Sequence, residues 1–151
     1  MIKKAAVIGA GSWGTAFSLH LWRQKIKTKL WVREEEIFEE LRSQRKNSLF
    51  LPEFTLPKDI FFTQSLAEAI DETEAIFVAV PSRYCRKIYR EMANWIKPYQ
   101  IVVSLTKGIE ERTLMTMTEI MAEIFFVQPI LAVLSGPSFA REVAAGLPTA
   151  V

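Results

Sequence analysis

Apolar residues switch between two rhythms along this chain, and the switch recurs from one end to the other. "KAAVIG" (4–9) reads as a buried strand, and "SWGTAFSLHLWRQK" (12–25) sets Trp13, Ala16, Phe17, His20 and Leu21 at helical spacing. "TKLWV" (28–32) is a second strand. "EEEIFEELRSQR" (34–45) is a helix with Ile37, Phe38 and Leu41 on one side, acids leading and Arg42 and Arg45 trailing, as the helix dipole favours. Residues 46–58, "KNSLFLPEFTLPK", hold two prolines and no clear period, so a loop is expected.

The second half repeats the alternation. "IFFT" (60–63) is a short strand, and "SLAEAIDE" (65–72) a short helix with Ser65 and Glu68 in capping-box positions. "AIFVAV" (75–80), apolar throughout, suits a central parallel strand. Pro81 ends it, and Ser82 is placed to cap a helix over 83–96. "QIVVSL" (100–105) is a strand. A helix over 113–125 turns Leu114, Met117, Met121 and Ile124 inward. "PILAVLS" (129–135) is a strand, followed by a helix over 137–146 with Pro137 in its first turn. Such alternation predicts a parallel sheet covered on both faces: one α/β domain, doubly wound, with strand order 3-2-1-4-5-6.

Within that order, "VIGAGSWGTA" (7–16) lies at the first strand-to-helix turn. In Gly9-x-Gly11-x-x-Gly14, the first glycine allows a tight turn, the second a close approach of a pyrophosphate, and the third close packing of helix on strand. The helix N-terminus then offers N–H groups and a positive dipole end to phosphates. Ser12 could add its hydroxyl and N–H. Trp13 either packs in the core or shields the cofactor, and its spacing favours the core. About 20 residues past the glycines an acid would bind the ribose of NAD. Arg33 stands there instead, with Glu34 next: either Arg33 is a solvated strand-end charge, or the site accepts NADP(H), with NAD(H) not excluded.

Composition narrows the partners. The 151 residues carry a formal charge of +2 with no basic tail or stripe, so nucleic acid is not indicated. No uninterrupted apolar window spans a membrane. A single cysteine, Cys85, suits a reducing compartment, and a cytoplasmic protein is expected. Cys85 and His20, the only histidine, are read as packing residues rather than catalytic ones. "GLPTAV" at 146–151 looks like the opening of an interrupted strand, so a fragment is expected.

Two further stretches lie at strand tips on the ligand-binding edge. "SLTKGIE" (104–110) presents Lys107, which could reach a phosphate or an alkoxide or could merely sit on a surface turn. "LSGPSFAREVAAGLPTAV" (134–151) puts Gly136 and Ser138 at the expected start of the last helix, where their N–H groups would face an anion.

Together with "GAGSWGTA", "LW" before Arg33, "NSLFLP" and "AVPS" (79–82), these stretches resemble the N-terminal, NAD(P)-binding Rossmann domain of bacterial glycerol-3-phosphate dehydrogenases, over all of residues 1–151. The resemblance implies oxidation of sn-glycerol 3-phosphate to dihydroxyacetone phosphate, usually run in reverse to supply phospholipid synthesis. It implies an α-helical domain after residue 151 that supplies the proton-accepting lysine, and a possible homodimer through the longer chain. It assigns Ser12, Trp13, Arg33 and Ala140 to the cofactor, beside Gly9, Gly11 and Gly14. Lys107 falls to cofactor and substrate together, and Gly136 and Ser138 to substrate; no metal is expected. Phe50 stands where the family often has tyrosine, and Glu34 where it often has a basic or smaller residue. Two alternatives compete: a related hydroxyacid or ketopantoate reductase, which "SLTKGIE" and "LSGPSF" oppose, and a module that binds NAD(P)(H) without catalysis.

Overall fold

The structure, a computed structural model describing residues 1–151, is a six-stranded sheet flanked by helices. In chain order the elements are β1 (Lys4–Ile8), α1 (Ser12–Arg23), β2 (Lys27–Trp31), α2 (Glu35–Gln44), β3 (Phe61–Thr63) and α3 (Leu66–Ile70). They continue with β4 (Ala75–Val78), α4 (Ser82–Met92), β5 (Ile101–Ser104), α5 (Met117–Ile124), β6 (Ile130–Val133) and α6 (Ala140–Ala145). The strand order is β3-β2-β1-β4-β5-β6 and every pair is parallel, as the alternation predicts.

Two cores follow from the pleat, because alternate residues of a strand face opposite sides. Ala5 and Val7 of β1 and Phe77 of β4 join one core with Phe17, Leu30 and Leu41. Ala6 and Ile8 of β1 and Ile76 and Val78 of β4 join the other, with Tyr89, Ile120 and Met121. Both faces of β1 from Ala5 onward and of β4 are therefore buried, which is why these stretches are apolar. Cys85 is packed in the second core, and burial pushes its thiol up, so it behaves as a small apolar residue.

The expected loop 46–58 is irregular but anchored. Arg45 leaves α2 in the left-handed conformation (φ 59°). Its guanidinium stacks 4.0 Å from the Phe62 ring centroid and donates to the carbonyls of Pro57 and Ile60. Leu51 and Leu56 are buried beneath it. At the far side of α1, Arg23 donates to the carbonyls of Val143 and Ala144, satisfying the C-terminal end of α6.

Several helix boundaries differ from expectation, each for a local reason. The helix expected over 113–125 starts at Met117, because Thr116 and Glu119 form a reciprocal capping box. Leu114, expected inward, is instead left-handed (φ 59°) and 69% exposed in the turn before it. Ser82 is the first residue of α4 rather than its cap, Pro81 holding the cap position. The same helix stops at Met92, not 96. The last helix starts at Ala140, not 137, so Gly136, Pro137 and Ser138 form a turn ahead of it. No helix is long and apolar enough to cross a membrane.

Leu41, fully buried between α2 and the sheet, tests the first core. Leu41→Ala is expected to cost about 2–5 kcal/mol, read as a lowered urea midpoint with an unchanged slope.

Candidate functional site: the carboxyl edge of the sheet

At the point where the strand order reverses, between β1 and β4, the chain leaves both strands at the same edge. Gly9 takes φ +112° there, and a Cβ on it would stand 2.8 Å from the Ala79 carbonyl oxygen. A Cβ on Gly14 would lie 1.9 Å from the Gly9 carbonyl oxygen, so α1 rests directly on the turn below it. A Cβ on Gly11, by contrast, would meet nothing within 4 Å. The three glycines thus divide: Gly9 turns against the Ala79 carbonyl, Gly14 packs on Gly9, and Gly11 borders open space.

That space is a cleft of about 460 Å³ whose lining includes Gly9, Gly11, Arg33, Phe50, Val80 and Tyr84. The N–H groups at the start of α1 have no intrahelical acceptor, and the helix dipole adds partial positive charge. Arg33 stands at the mouth with its guanidinium 5.9 Å from the Tyr84 ring centroid. Arg83 stacks on the same ring at 4.8 Å, and Glu34 also lines the cleft. Two cations and a helix N-terminus facing one open volume fit a ligand rich in phosphate. Arg83 and Tyr84 were not expected from the sequence. Their position directly after "AVPS", at the end of the strand beside β1, was the available signal.

Asn47 is a second unanticipated residue. It is 0% exposed, and its amide donates to the Ala10 carbonyl at 2.7 Å and to Thr15 Oγ1 at 2.9 Å. Its Oδ1 accepts from the Phe50 N–H at 3.3 Å. Ser12 Oγ donates to the Phe50 carbonyl at 2.8 Å, so its hydroxyl proton ties down the loop rather than facing the cleft. Its N–H stays in the first turn of α1. These bonds fasten the 46–58 loop to the glycine turn and seat Phe50 in the cleft wall.

Trp13 is half-buried with its ring 5.9 Å from Phe17. It lines a separate groove of about 390 Å³ with Phe17, His20, Leu147 and Val151, not the cleft holding Arg33. His20 packs at 5.7 Å from the Phe17 ring. Burial, and then the Arg23 charge, hold its imidazole below its ordinary range, which favours the neutral form.

Lys107, at the tip of β5, meets the turn after β6. Its Nζ donates to the carbonyls of Gly136 at 3.3 Å and Ser138 at 3.2 Å, bringing together the three residues expected to touch substrate. An ammonium has three N–H donors, so one remains for an incoming oxygen. The expected anion site on Gly136 and Ser138 N–H groups changes, since these residues precede α6 instead of starting it. The Ser138 N–H is taken up by the Gly136 carbonyl at 2.8 Å. Ala140 begins α6 and packs against the first core.

The comparisons with known proteins agree with this fold. Residues 4–151 match the family described as NAD-dependent glycerol-3-phosphate dehydrogenase N-terminus. The chain belongs to that family. A glycerol-3-phosphate dehydrogenase [NAD(P)+] of Citrifermentans bemidjiense is 44% identical over 153 residues, covering 100% of this chain and 46% of that protein. The enzyme of the same name from Koribacter versatilis is 38% identical, covering 99% and 45%. The crystal structure of glycerol-3-phosphate dehydrogenase from Coxiella burnetii superposes with a TM-score of 0.90 at 33% identity, over 97% of this chain and 45% of that one. The chain therefore spans just under half the length of the relatives it matches.

The glycine contacts yield a direct contrast. Gly11→Ala should leave the melting temperature within a degree or two of the parent. Gly14→Ala, driven into the Gly9 carbonyl, should cost more than about 3 kcal/mol, beyond ordinary overpacking. Thermal melts of the two variants check this.

Proposed function

We propose that this chain is the NAD(P)(H)-binding half of a glycerol-3-phosphate dehydrogenase that interconverts sn-glycerol 3-phosphate and dihydroxyacetone phosphate. The observation that carries the reading is Lys107, braced on two carbonyls at the same sheet edge as the open glycine turn. The residues of the cleft fit the cofactor: Gly11 leaves room for a pyrophosphate, Gly9 and Gly14 let α1 rest on the turn, and Ser12 and Trp13 would supply N–H groups at the start of α1. Arg33 and Arg83 would neutralise a 2′-phosphate, and Glu34 beside them leaves room for NAD(H). Bound there, the nicotinamide would accept or donate the hydride.

Lys107 would donate its remaining N–H to the phosphate or to the C2 oxygen of the substrate, stabilising negative charge that grows on that oxygen. Gly136 and Ser138 would wall the substrate, with Ala140 on the cofactor side. The proton acceptor is assigned to a lysine of an α-helical domain outside residues 1–151. In the cell the reaction would supply glycerol 3-phosphate for phospholipid synthesis. A cytoplasmic setting suits the free, buried Cys85 thiol, and a homodimer would form through the longer chain.

Fluorescence titration of the chain with NADPH and NADH tests the cofactor half. Gly11→Val should weaken NADPH by at least about 100-fold, since a side chain would fill the approach to the turn. Arg33→Asp should weaken NADPH by about 10-fold or more while changing NADH little. Equal losses for both cofactors would remove Arg33 from 2′-phosphate recognition. The longer chain should reduce dihydroxyacetone phosphate with NADPH, and absence of that turnover would refute the assigned activity.

A further inference from the structure

Lys107 sits on an exposed loop, yet it must hold a fixed aim to serve a substrate. Its N-terminal side is secured by Thr106, whose hydroxyl donates to the Val80 carbonyl at 2.8 Å. On its C-terminal side Gly108 turns with φ +93°, and the chain reaches Glu110. Arg86 of α4 grips that carboxylate with both oxygens engaged, Nε to Oε1 at 2.7 Å and Nη2 to Oε2 at 2.8 Å. The remaining nitrogen, Nη1, donates to Glu123 of α5 at 2.8 Å. One guanidinium thus joins α4, the Lys107 loop and α5. Its side chain is 18% exposed and that of Glu110 14%, so water competes little for the pair. Glu110 also closes its own turn: its N–H donates to the Met115 carbonyl and its carbonyl accepts from Leu114 N–H, at 2.9 and 2.8 Å.

We propose that Arg86 and Glu110 are positioning residues, a bidentate ion pair that fixes the 107–110 loop so that the Lys107 ammonium points at the substrate. The pair touches neither the cofactor cleft nor the Gly136–Ser138 turn, and acts only through the backbone between Glu110 and Lys107. A planar fork clamping a carboxylate defines direction as well as distance, which a lysine in its place would not do. The proposal rests on the dehydrogenase reading of Lys107.

The test uses the full-length chain that carries residues 1–151, in Glu110→Gln, Arg86→Lys, Lys107→Ala and Glu110→Gln/Lys107→Ala forms. Four readouts are taken: kcat and KM with dihydroxyacetone phosphate, the NADPH dissociation constant by fluorescence, and the melting temperature. Glu110→Gln and Arg86→Lys should each lower kcat/KM on the order of 10- to 100-fold, the scale of a misaimed group. NADPH affinity should stay within about 2-fold, because the glycine turn is untouched. In the Lys107→Ala background, Glu110→Gln should add nothing, since it acts through the missing ammonium. Full kcat/KM in both single variants overturns the proposal, as do losses that multiply in the double variant or track a fall in melting temperature. Full activity of Lys107→Ala itself overturns the reading beneath it, and the proposal with it.

Discussion

The contact between α1 and the turn below it sets the geometry of everything at the carboxyl edge. With no side chain at Gly14, the first turn of α1 lies against the Gly9 carbonyl, and the start of the helix reaches the end of β1. Gly9 in turn passes under the Ala79 carbonyl, which brings the end of β4 alongside. The Ala79 N–H donates to the Ile8 carbonyl at 2.8 Å and the Gly9 N–H to the Trp31 carbonyl at 3.1 Å, so β1, β2 and β4 are joined at their tips. A methyl group on Gly14 would push the helix and its N–H groups away from the turn. The weakness of glycine in a helix, about 1 kcal/mol against alanine, is small beside that requirement.

Around this contact buried Asn47 is bonded while the cleft cations are left available, and in the second core Tyr89 Oη is buried without a partner. Asn47 spends its amide on Ala10, Thr15 and Phe50, so a loop without regular structure is tied to the glycine turn. Arg33 and Arg83, in the cleft wall, stack on Tyr84 and keep N–H groups for a ligand. Lys107 falls between the two cases, with two carbonyl acceptors and one donor to spare. Glu110 belongs to the bonded class: Arg86, and then Thr113, hold its carboxyl well below the usual range, at about 2. It therefore stays ionised, and the pair intact, across neutral pH.

Local pattern carried the sheet and the glycine turn because both are written at short range. Strand period and the Gly9-x-Gly11-x-x-Gly14 spacing need no tertiary knowledge, and six strands alternating with helices favour the doubly wound dinucleotide order. Apolar spacing that runs back through Leu114 suggests a longer helix, but the Thr116–Glu119 capping box starts it at Met117, which is buried as expected. Gly136 and Ser138 were given helical N–H groups because Pro137 suits a first turn; the chain instead turns once more and starts at Ala140. Asn47, Arg83 and the Arg86–Glu110 pair stayed hidden for another reason. Each acts across 24 to 37 residues of sequence or at a strand tip, where only the sheet's order brings partners together.

In the proposed mode of binding an anionic dinucleotide enters at the carboxyl edge, over Gly11. A competing surface exists at the opposite edge, a groove of about 640 Å³ lined by Lys4, Lys25, Lys27 and Lys29 with Trp22 and Phe61. Amide chemical shifts of the isotope-labelled chain, followed through a titration with NADPH, separate the two. Saturable shifts concentrated at residues 9–14, Arg33, Arg83 and Tyr84, with 25–29 unmoved, are the predicted result. Shifts confined to the lysine groove, leaving Gly11 and Ser12 unchanged, would contradict it.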